Sequence, residues 1–428
     1  MGEIDWVLMA YAVIAFVAVA VALSYVILLC RSIFSPHGSC IIRINNDPEM
    51  TKTVEAGETL LYALTREGIG IPSPCGGRAT CHQCRLQVVE QSDPPLDTDI
   101  AAFTRSQLKA GWRLSCQVRL GHDVGVKIPE QFLHVKETQG TVVSNKNVAT
   151  FIKELVVHLP QGEKIDYRPG SYLQILVPPF VTQTEDWKPS IDRHFWDDWE
   201  KYGMFGRKLD FSSHAEEPRA YSLGSYPAEG EKLMFNVRIA TPPLEGGKVA
   251  ESIPWGFGSS YLFSLKPGDT ICMTGPYGES FMKEGTQNVY FLIGGAGSSF
   301  GRSHVFDLLC TKNTPRKVSM WYGARSLREN IYQHDYEELV KKYPQFSYHL
   351  VLSEPTKEDI AGGWPANDPV KTAFLFKAFD VGELKKMRAP EDNLYFVCGP
   401  PMHNRSVMKL LDDYGVPREN IVLDDFGN

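Results

Sequence analysis

Pro74-Cys75-Gly76-Gly77-Arg78-Ala79-Thr80-Cys81-His82-Gln83-Cys84 is the stretch that decides how this chain folds, and Cys116 completes it after a gap of 31 residues. Thiolates spaced C-x5-C-x2-C with a remote fourth cysteine follow the ligand pattern of a [2Fe-2S] cluster, in a loop one residue longer than the usual C-x4-C-x2-C. Small residues let such a loop wrap closely and aim backbone N–H groups at the sulfides. Structural zinc is the leading rival, but it usually pairs two C-x2-C-like knuckles and the chain supplies one. A Rieske centre needs two histidine ligands, and only His82 is at hand. Cys75, Cys81, Cys84 and Cys116 are therefore the expected metal ligands, with unligated core cysteines the plainest alternative.

Around this loop, Cys40–Ile44 and Arg85–Val89 read as short strands, and Thr59–Leu64 as a helix. The run Arg113–Val118 is expected to return Cys116 from a further strand. Residues 36–130 thus form a small α+β domain around the cysteine loop. Upstream, residues 1–35 read as an anchor and a turn-rich linker. Trp6–Leu29 carries no charge, has only Ser24 and two tyrosines as polar groups, and is long enough to span a bilayer as one helix. A secretory signal would need a basic start, a shorter apolar core and a small-residue cleavage site. Glu3 and Asp5 precede the run and Arg31 follows it, which places the bulk of the chain inside by the positive-inside tendency. Nine cysteines in 428 residues make no disulfide framework. Both arguments predict a single-pass anchor with its N-terminus outside and the bulk of the chain cytoplasmic. The 44 basic and 51 acidic residues, net charge −7, give no electrostatic reason to expect nucleic acid.

From 131 to 285 the texture changes to closely spaced strand runs, Phe151–Leu159, Ser171–Val177, Lys232–Ile239 and Asp269–Met273, punctuated by Gly and Pro. This predicts an antiparallel barrel, interrupted by an insertion over 178–218 in which Trp187, Trp196 and Trp199 crowd among acids. Such an insertion is either a docking surface or a loop packed on itself. From 286 to 428, buried runs Val289–Ile293, Val318–Tyr322, Phe346–Leu352 and Leu394–Val397 alternate with helical stretches, the signature of a parallel α/β sheet. Gly294-Gly295-Ala296-Gly297, Tyr322-Gly323-Ala324-Arg325-Ser326 and Cys398-Gly399-Pro400 each follow such a strand, where ligands of α/β sheets bind.

Arg219-Ala220-Tyr221-Ser222 resembles the R-x-Y-S motif of the ferredoxin-NADP reductase superfamily, and the strand-following loops resemble its nicotinamide-domain motifs. The resemblance implies that FAD is held by Arg219 on the pyrophosphate and Tyr221 on the ring, with Ser222 near the reactive N5. Gly258, Ser259 and Ser260 would meet the pyrophosphate, and Phe426 would cover the ring. It also implies NADH binding through Gly294, Gly295, Gly297, Cys398, Gly399 and Pro400, with Ser222 and Cys398 as the catalytic pair. An exposed Arg on an ordinary strand, a plain strand-to-helix loop or a buried structural cysteine would look similar taken singly. Arg325 suits either a 2'-phosphate or a pyrophosphate, so NADH and NADPH are not separated. Ile293 and Ser298-Ser299-Phe300-Gly301 depart from the family pattern.

The whole order, N-terminal transmembrane helix, ferredoxin-like β-grasp, FAD barrel and Rossmann-like NADH domain, is similar to the family of F subunits of the Na+-translocating NADH:quinone oxidoreductases. That likeness implies hydride transfer from NADH to FAD, single electrons to the 2Fe-2S cluster, and onward transfer to other membrane subunits of a complex that reduces ubiquinone. One span with so few polar groups makes no ion path, which assigns sodium translocation to those partners. The alternatives are a membrane-tethered NADH reductase feeding an oxygenase or another acceptor, and an inactive ferredoxin-bearing assembly scaffold.

Overall fold

The computed structural model describes residues 6–34, 38–90, 93–133 and 137–425, with side chains in the first helix described at Tyr11 and over 13–26. The expected linker at 35–37 and the Phe426 assignment lie outside the described residues. Helix α1 (Trp6–Phe34) is 29 residues long, and its described side chains over 13–26 are exposed. Among the described residues no helix is long and apolar enough to cross a membrane.

The described residues fall into two compact units, one drawn from 1–71 with 84–130 and the other from 72–83 with 131–428. The first carries β1 (Ser39–Ile44), β2 (Lys52–Glu55), α2 (Leu60–Arg66), β3 (Arg85–Glu90), α3 (Asp97–Ala102), α4 (Arg105–Lys109), β4 (Trp112–Leu114) and β5 (Val124–Lys127), and α5 (Glu130–Leu133) begins at its end. Its sheet runs β2-β1-β5-β3-β4, with β1 and β5 parallel and every other pair antiparallel. Thr59 caps α2 through its hydroxyl, which accepts from Tyr62 N, and Leu60, Leu61 and Leu64 are buried. Against expectation, β4 ends at Leu114 and Cys116 sits in the following turn. Buried Asp99 accepts from Leu114 N at 2.9 Å and from Leu96 N at 3.0 Å, tying α3 to that edge strand.

The second unit opens with an antiparallel sheet of β6 (Glu137–Ala149), β7 (Ile152–His158) and β8 (Tyr172–Val177). After β8 come the ribbon β9 (Val181–Gln183) and β10 (Lys208–Asp210), with α6 (Trp196–Lys201) between them. Then follow β11 (Glu217–Ser222), β12 (Lys232–Arg238), the small hairpin β13 (Leu244–Glu245) and β14 (Lys248–Val249), α7 (Phe257–Ser264) and β15 (Thr270–Tyr277). The six long strands are ordered β11-β8-β15-β6-β7-β12, and a bridge between Leu223 and Phe235 links the two edges into a barrel. Trp187 and Trp199 of the insertion are buried in the barrel core beside Phe263 and Trp255. For these two rings the insertion packs into the barrel core.

A five-stranded parallel sheet follows: β16 (Val289–Gly294), α8 (Ser298–Phe306), β17 (Val318–Ala324), α9 (Gln333–Lys342), β18 (Phe346–Leu352), α10 (Lys357–Ala361), α11 (Leu375–Gly382), β19 (Leu394–Cys398), α12 (Pro401–Asp413) and β20 (Ile421–Asp424). Its order is β18-β17-β16-β19-β20. The two departures noted in the sequence have structural causes. Ile293 is fully buried, and a Cβ on Gly301 would lie 3.1 Å from its Cγ1, so the small residue lets α8 press onto the sheet. Ser299 Oγ accepts from Asn236 N at 2.8 Å and donates to its Oδ1 at 2.8 Å, joined by Ser298 at 3.2 Å. These serines fasten α8 to barrel strand β12. Arg302 seals the same seam with two bonds to Glu229, at 2.8 and 3.0 Å, and one to Gly224 O at 2.9 Å. Burial pushes the Glu229 carboxyl up, but the Arg302 guanidinium outweighs it and holds the group below its ordinary range.

Candidate functional site

The cysteine loop is tightly turned. Gly76, Gly77, Ala79 and His82 all have left-handed backbone, at φ of 63°, 85°, 58° and 53°. Ala79 therefore adopts the conformation a glycine would take at less cost, about 1 kcal/mol, and it is buried there. Ser73 anchors the turn, its carbonyl accepting from Gly76 N at 2.9 Å and its hydroxyl from Gly77 N at 3.0 Å. Cys75 Sγ and Cys81 Sγ lie 3.3 Å apart. Their shared hydrogen bond draws the Cys75 thiol down and the Cys81 thiol up. In the first unit, Cys84 immediately precedes β3 and its carbonyl accepts from Ser115 N at 2.8 Å, one residue before Cys116; both cysteines are buried. Among the described residues no group of three or more metal-competent side chains is gathered in one place. A close thiol pair in a loop of left-handed residues fits the thiolate chemistry of an iron–sulfur cluster.

Beside the loop, and within the second unit, a cleft of about 460 Å³ is walled by Pro74, Cys75 and Arg78, by the β11 residues Arg219, Tyr221 and Ser222, and by Gly256–Ser259 at the start of α7. Its remaining wall includes Asn236, Arg238, Gly294, Gly297, Gly399 and Pro400. Bare backbone is required here. A Cβ on Gly258 would lie 2.7 Å from Arg219 Cγ and 3.0 Å from Tyr221 Oη. One on Gly76 would lie 2.7 Å from Arg219 Nη1. Arg219 pairs with Glu217, donates to Pro218 O at 2.9 Å and rests 5.6 Å from the Phe257 ring, so its fork is held at the cleft wall. Ser259 Oγ accepts from Ala240 N at 3.0 Å and donates to Gly256 O at 3.2 Å, fixing the turn into α7. Ser260 differs from expectation: it is fully buried, does not line the cleft, and its Oγ has no hydrogen-bond partner among the described residues.

A second cleft, about 550 Å³, is lined by Gly294, Gly295, Tyr322–Arg325, Glu329, Phe374, Lys377, Pro400 and His403. Gly295 has φ of 56° and no atom nearer than 3.9 Å to a would-be Cβ, leaving its backbone open to a ligand. Gly294, Pro400 and Arg238 border both clefts. Arg238 sits amid enough protein to lower its pKa by burial, opposed by Glu329 and reinforced by Arg325.

Ser222 Oγ donates to Asp424 Oδ2 at 3.0 Å, and Asp424 is the register partner of Cys398 across β19 and β20. Burial raises the Asp424 carboxyl to about 6, against the lowering effect of Ser222. Cys398 is fully buried behind Gly297, whose Cβ would fall 2.9 Å from its Sγ, and burial together with Asp424 pushes the thiol upward. The sequence reading pairs Ser222 with Cys398 but misses Asp424, Asn236, Arg238 and Glu329. The period-2 alternation of Asn236-Val237-Arg238 is the available signal for the second and third.

Residues 42–121 match the family model of the 2Fe-2S iron-sulfur cluster binding domain. The F subunit of the Na(+)-translocating NADH-quinone reductase of Chlamydia pneumoniae is 54% identical over 415 residues, 96% of each chain. Its namesake in Neisseria meningitidis serogroup B is 41% identical over 417 residues, 97% of this chain and 98% of that one. Among solved structures, the Amycolatopsis cytochrome P450 reductase GcoB aligns with TM-score 0.58 and 19% identity, covering 90% of this chain and 98% of its own. The ferredoxin reductase in carbazole 1,9a-dioxygenase aligns with TM-score 0.56 and 18% identity, covering 91% and 99%. These two share the fold.

Proposed function

The chain belongs to the family of F subunits of the Na(+)-translocating NADH-quinone reductases, and on that premise we propose that it oxidises NADH and passes the electrons through FAD to a 2Fe-2S cluster. It is an oxidoreductase component of a multi-subunit complex. The observation that carries the reading is the continuity of walls: Arg238, Gly294 and Pro400 border both clefts, and Cys75 lies in the wall of the first. The 550 Å³ cleft takes the nicotinamide nucleotide and the 460 Å³ cleft the flavin. When bound, FAD accepts a two-electron hydride and releases electrons singly to the cluster.

The protein supplies position and charge. Arg219 presents a guanidinium fork suited to a pyrophosphate, and the bare backbone of Gly258 keeps that approach clear. Tyr221 offers an aromatic face, and burial holds its phenol protonated. With Asp424 ionised, Ser222 donates to it and leaves its oxygen lone pairs toward the cleft. With Asp424 protonated, the carboxyl donates to Ser222 Oγ and frees the hydroxyl proton. The pair thus holds a proton at Ser222 Oγ, beside the site of hydride arrival. Cys75, Cys81, Cys84 and Cys116 carry the cluster, and α1 anchors the chain in a bacterial inner membrane with its bulk cytoplasmic. Other membrane subunits receive the electrons, reduce ubiquinone and move sodium.

Anaerobic titration of the purified full-length protein with NADH, followed by visible absorbance and EPR, tests the route. Bleaching of the flavin band together with a rhombic [2Fe-2S] signal is expected. Flavin that NADH cannot bleach, or no cluster signal even with dithionite, overturns the proposal.

A further inference from the structure

We propose that the insertion over 178–218 is a bracket that positions the nicotinamide-nucleotide loop after β17, with Arg328 as the positioning residue that joins them. This rests on the reading that the 550 Å³ cleft takes the nucleotide. Arg325 and Glu329 line that cleft, and Arg328 lies between them in the turn Leu327–Glu329. Arg328 forks onto α6 of the insertion: Nη2 donates to Asp197 Oδ1 at 2.7 Å, and Nη1 donates to Asp197 Oδ2 at 3.0 Å and Asp198 Oδ2 at 3.2 Å. Nη2 also donates to His194 O, and the guanidinium stands 5.9 Å from the Phe195 ring. A bidentate carboxylate fork fixes direction as well as distance.

The insertion end of this contact is rigidly mounted. Trp199 is fully buried and donates to Thr150 O at 2.7 Å. Lys153, fully buried in β7, donates to Ser190 Oγ of the insertion at 2.6 Å and to Phe263 O at 3.0 Å. The cleft end is linked just as directly. Glu329 is the next residue after Arg328; its carboxylate takes Arg325 Nη2 at 3.4 Å and its carbonyl takes Tyr322 Oη at 3.2 Å. The same hydroxyl reaches Gly295 O at 3.3 Å. A shift of Arg328 therefore passes through one peptide to Glu329, Tyr322 and the glycine loop that faces the nucleotide. The contact acts on where the nucleotide is held and leaves the Ser222 side of the flavin cleft alone, so it bears on KM and not on kcat.

The test uses the full-length holoprotein, reading NADH oxidation with an artificial acceptor and the Kd of ADP-ribose by calorimetry. Arg328→Ala, and Asp197→Asn with Asp198→Asn, should each raise KM and Kd by about five- to tenfold with kcat within about twofold, and combining them should add nothing. Arg328→Lys should recover part of the loss. Because the Asp197 side chain is 68% exposed, Asp197→Asn alone leaves folding untouched and should still raise the Kd. About 0.5 M NaCl should raise the wild-type KM more than that of Arg328→Ala. Unchanged Kd and KM, additive losses, or a fall in kcat alone overturns the bracket while wild-type NADH oxidation stands. No NADH oxidation by the wild type overturns the functional reading itself.

Discussion

Asp424→Asn is expected to make the protein more stable at neutral pH. The carboxyl rises from an ordinary 3.8 to about 6 on burial, roughly two units, and each unit is worth about 1.4 kcal/mol. A carboxyl whose folded pKa exceeds its unfolded one takes up a proton on folding. Its contribution is most favourable below pH ~4 and is lost as pH rises to about 6, so the ionised group costs up to about 3 kcal/mol at pH ~7.5. Asp424 is only partly covered by its neighbours, which roughly halves that figure. Asparagine keeps an acceptor for the Ser222 hydroxyl and carries no charge. At about 2 °C per kcal/mol, the variant should melt about 3 °C higher at pH ~7.5, with the advantage shrinking toward zero near pH ~4. Differential scanning calorimetry of the flavin-loaded protein across that range is the assay. An advantage independent of pH, or a variant less stable at every pH, refutes the claim that the carboxylate is costly in this position. The same substitution should flatten the pH dependence of NADH oxidation near pH ~6, because the proton exchanged with Ser222 Oγ is gone.

Gly258→Val should empty the flavin cleft, since its Cβ would lie 2.7 Å from Arg219 Cγ; the flavin-to-protein ratio after purification should fall at least about tenfold with cluster absorbance retained. Gly297→Ala meets the Cys398 carbonyl oxygen at 2.6 Å, a backbone atom with no room to move, and should cost about 1–3 kcal/mol in urea unfolding while slowing NADH oxidation. Trp199→Ala removes a fully buried ring that stacks on Phe205 at 5.3 Å and bonds Thr150 O. It should cost about 3–5 kcal/mol, read as a fall in melting temperature.

What is plain in the sequence is whatever repeats along the chain or stands out by type. The buried runs Val289–Ile293, Val318–Tyr322 and Phe346–Leu352 become β16, β17 and β18 nearly residue for residue, because strands covered on both faces read as continuous apolar stretches. Arg219, Tyr221 and Ser222 share one strand, so a local motif suffices to bring them to one wall. The missing parts depend on partners far along the chain. Asp424 ends a four-residue strand near the terminus and meets Ser222 two hundred and two residues away, which no local pattern announces. Ser298 and Ser299 look like departures from a cofactor loop; both hydrogen-bond Asn236, and Ser299 also lines the 460 Å³ cleft. Lys153 is a charged residue at a fully buried position, contrary to what residue type predicts; the Ser190 and Phe263 acceptors, the Phe263 ring 4.9 Å from its Nζ, and a pKa that burial lowers to about 7 make it tolerable. Cys116 reads as part of a strand because Leu114, Cys116 and Val118 alternate with polar residues; in the structure the strand ends at Leu114, whose N–H is bonded by Asp99.

The loop 72–83 and the barrel it packs on act as one piece, because a one-electron centre is useful only if its distance to the flavin is fixed. Three contacts internal to the second unit do this. Gly76 lies so close to Arg219 that any side chain would strike the guanidinium. Tyr172 Oη on β8 donates to Gln83 Oε1 at 2.9 Å, and its ring packs on Tyr277 at 5.6 Å. Pro74, Cys75 and Arg78 are themselves wall residues of the 460 Å³ cleft. Arg219 is thus constrained from two sides, by the glycine of the cysteine loop and by the glycine of α7. The arginine we propose for the flavin pyrophosphate also spans the gap between the loop and the barrel, which is why two glycines distant in sequence answer to one side chain.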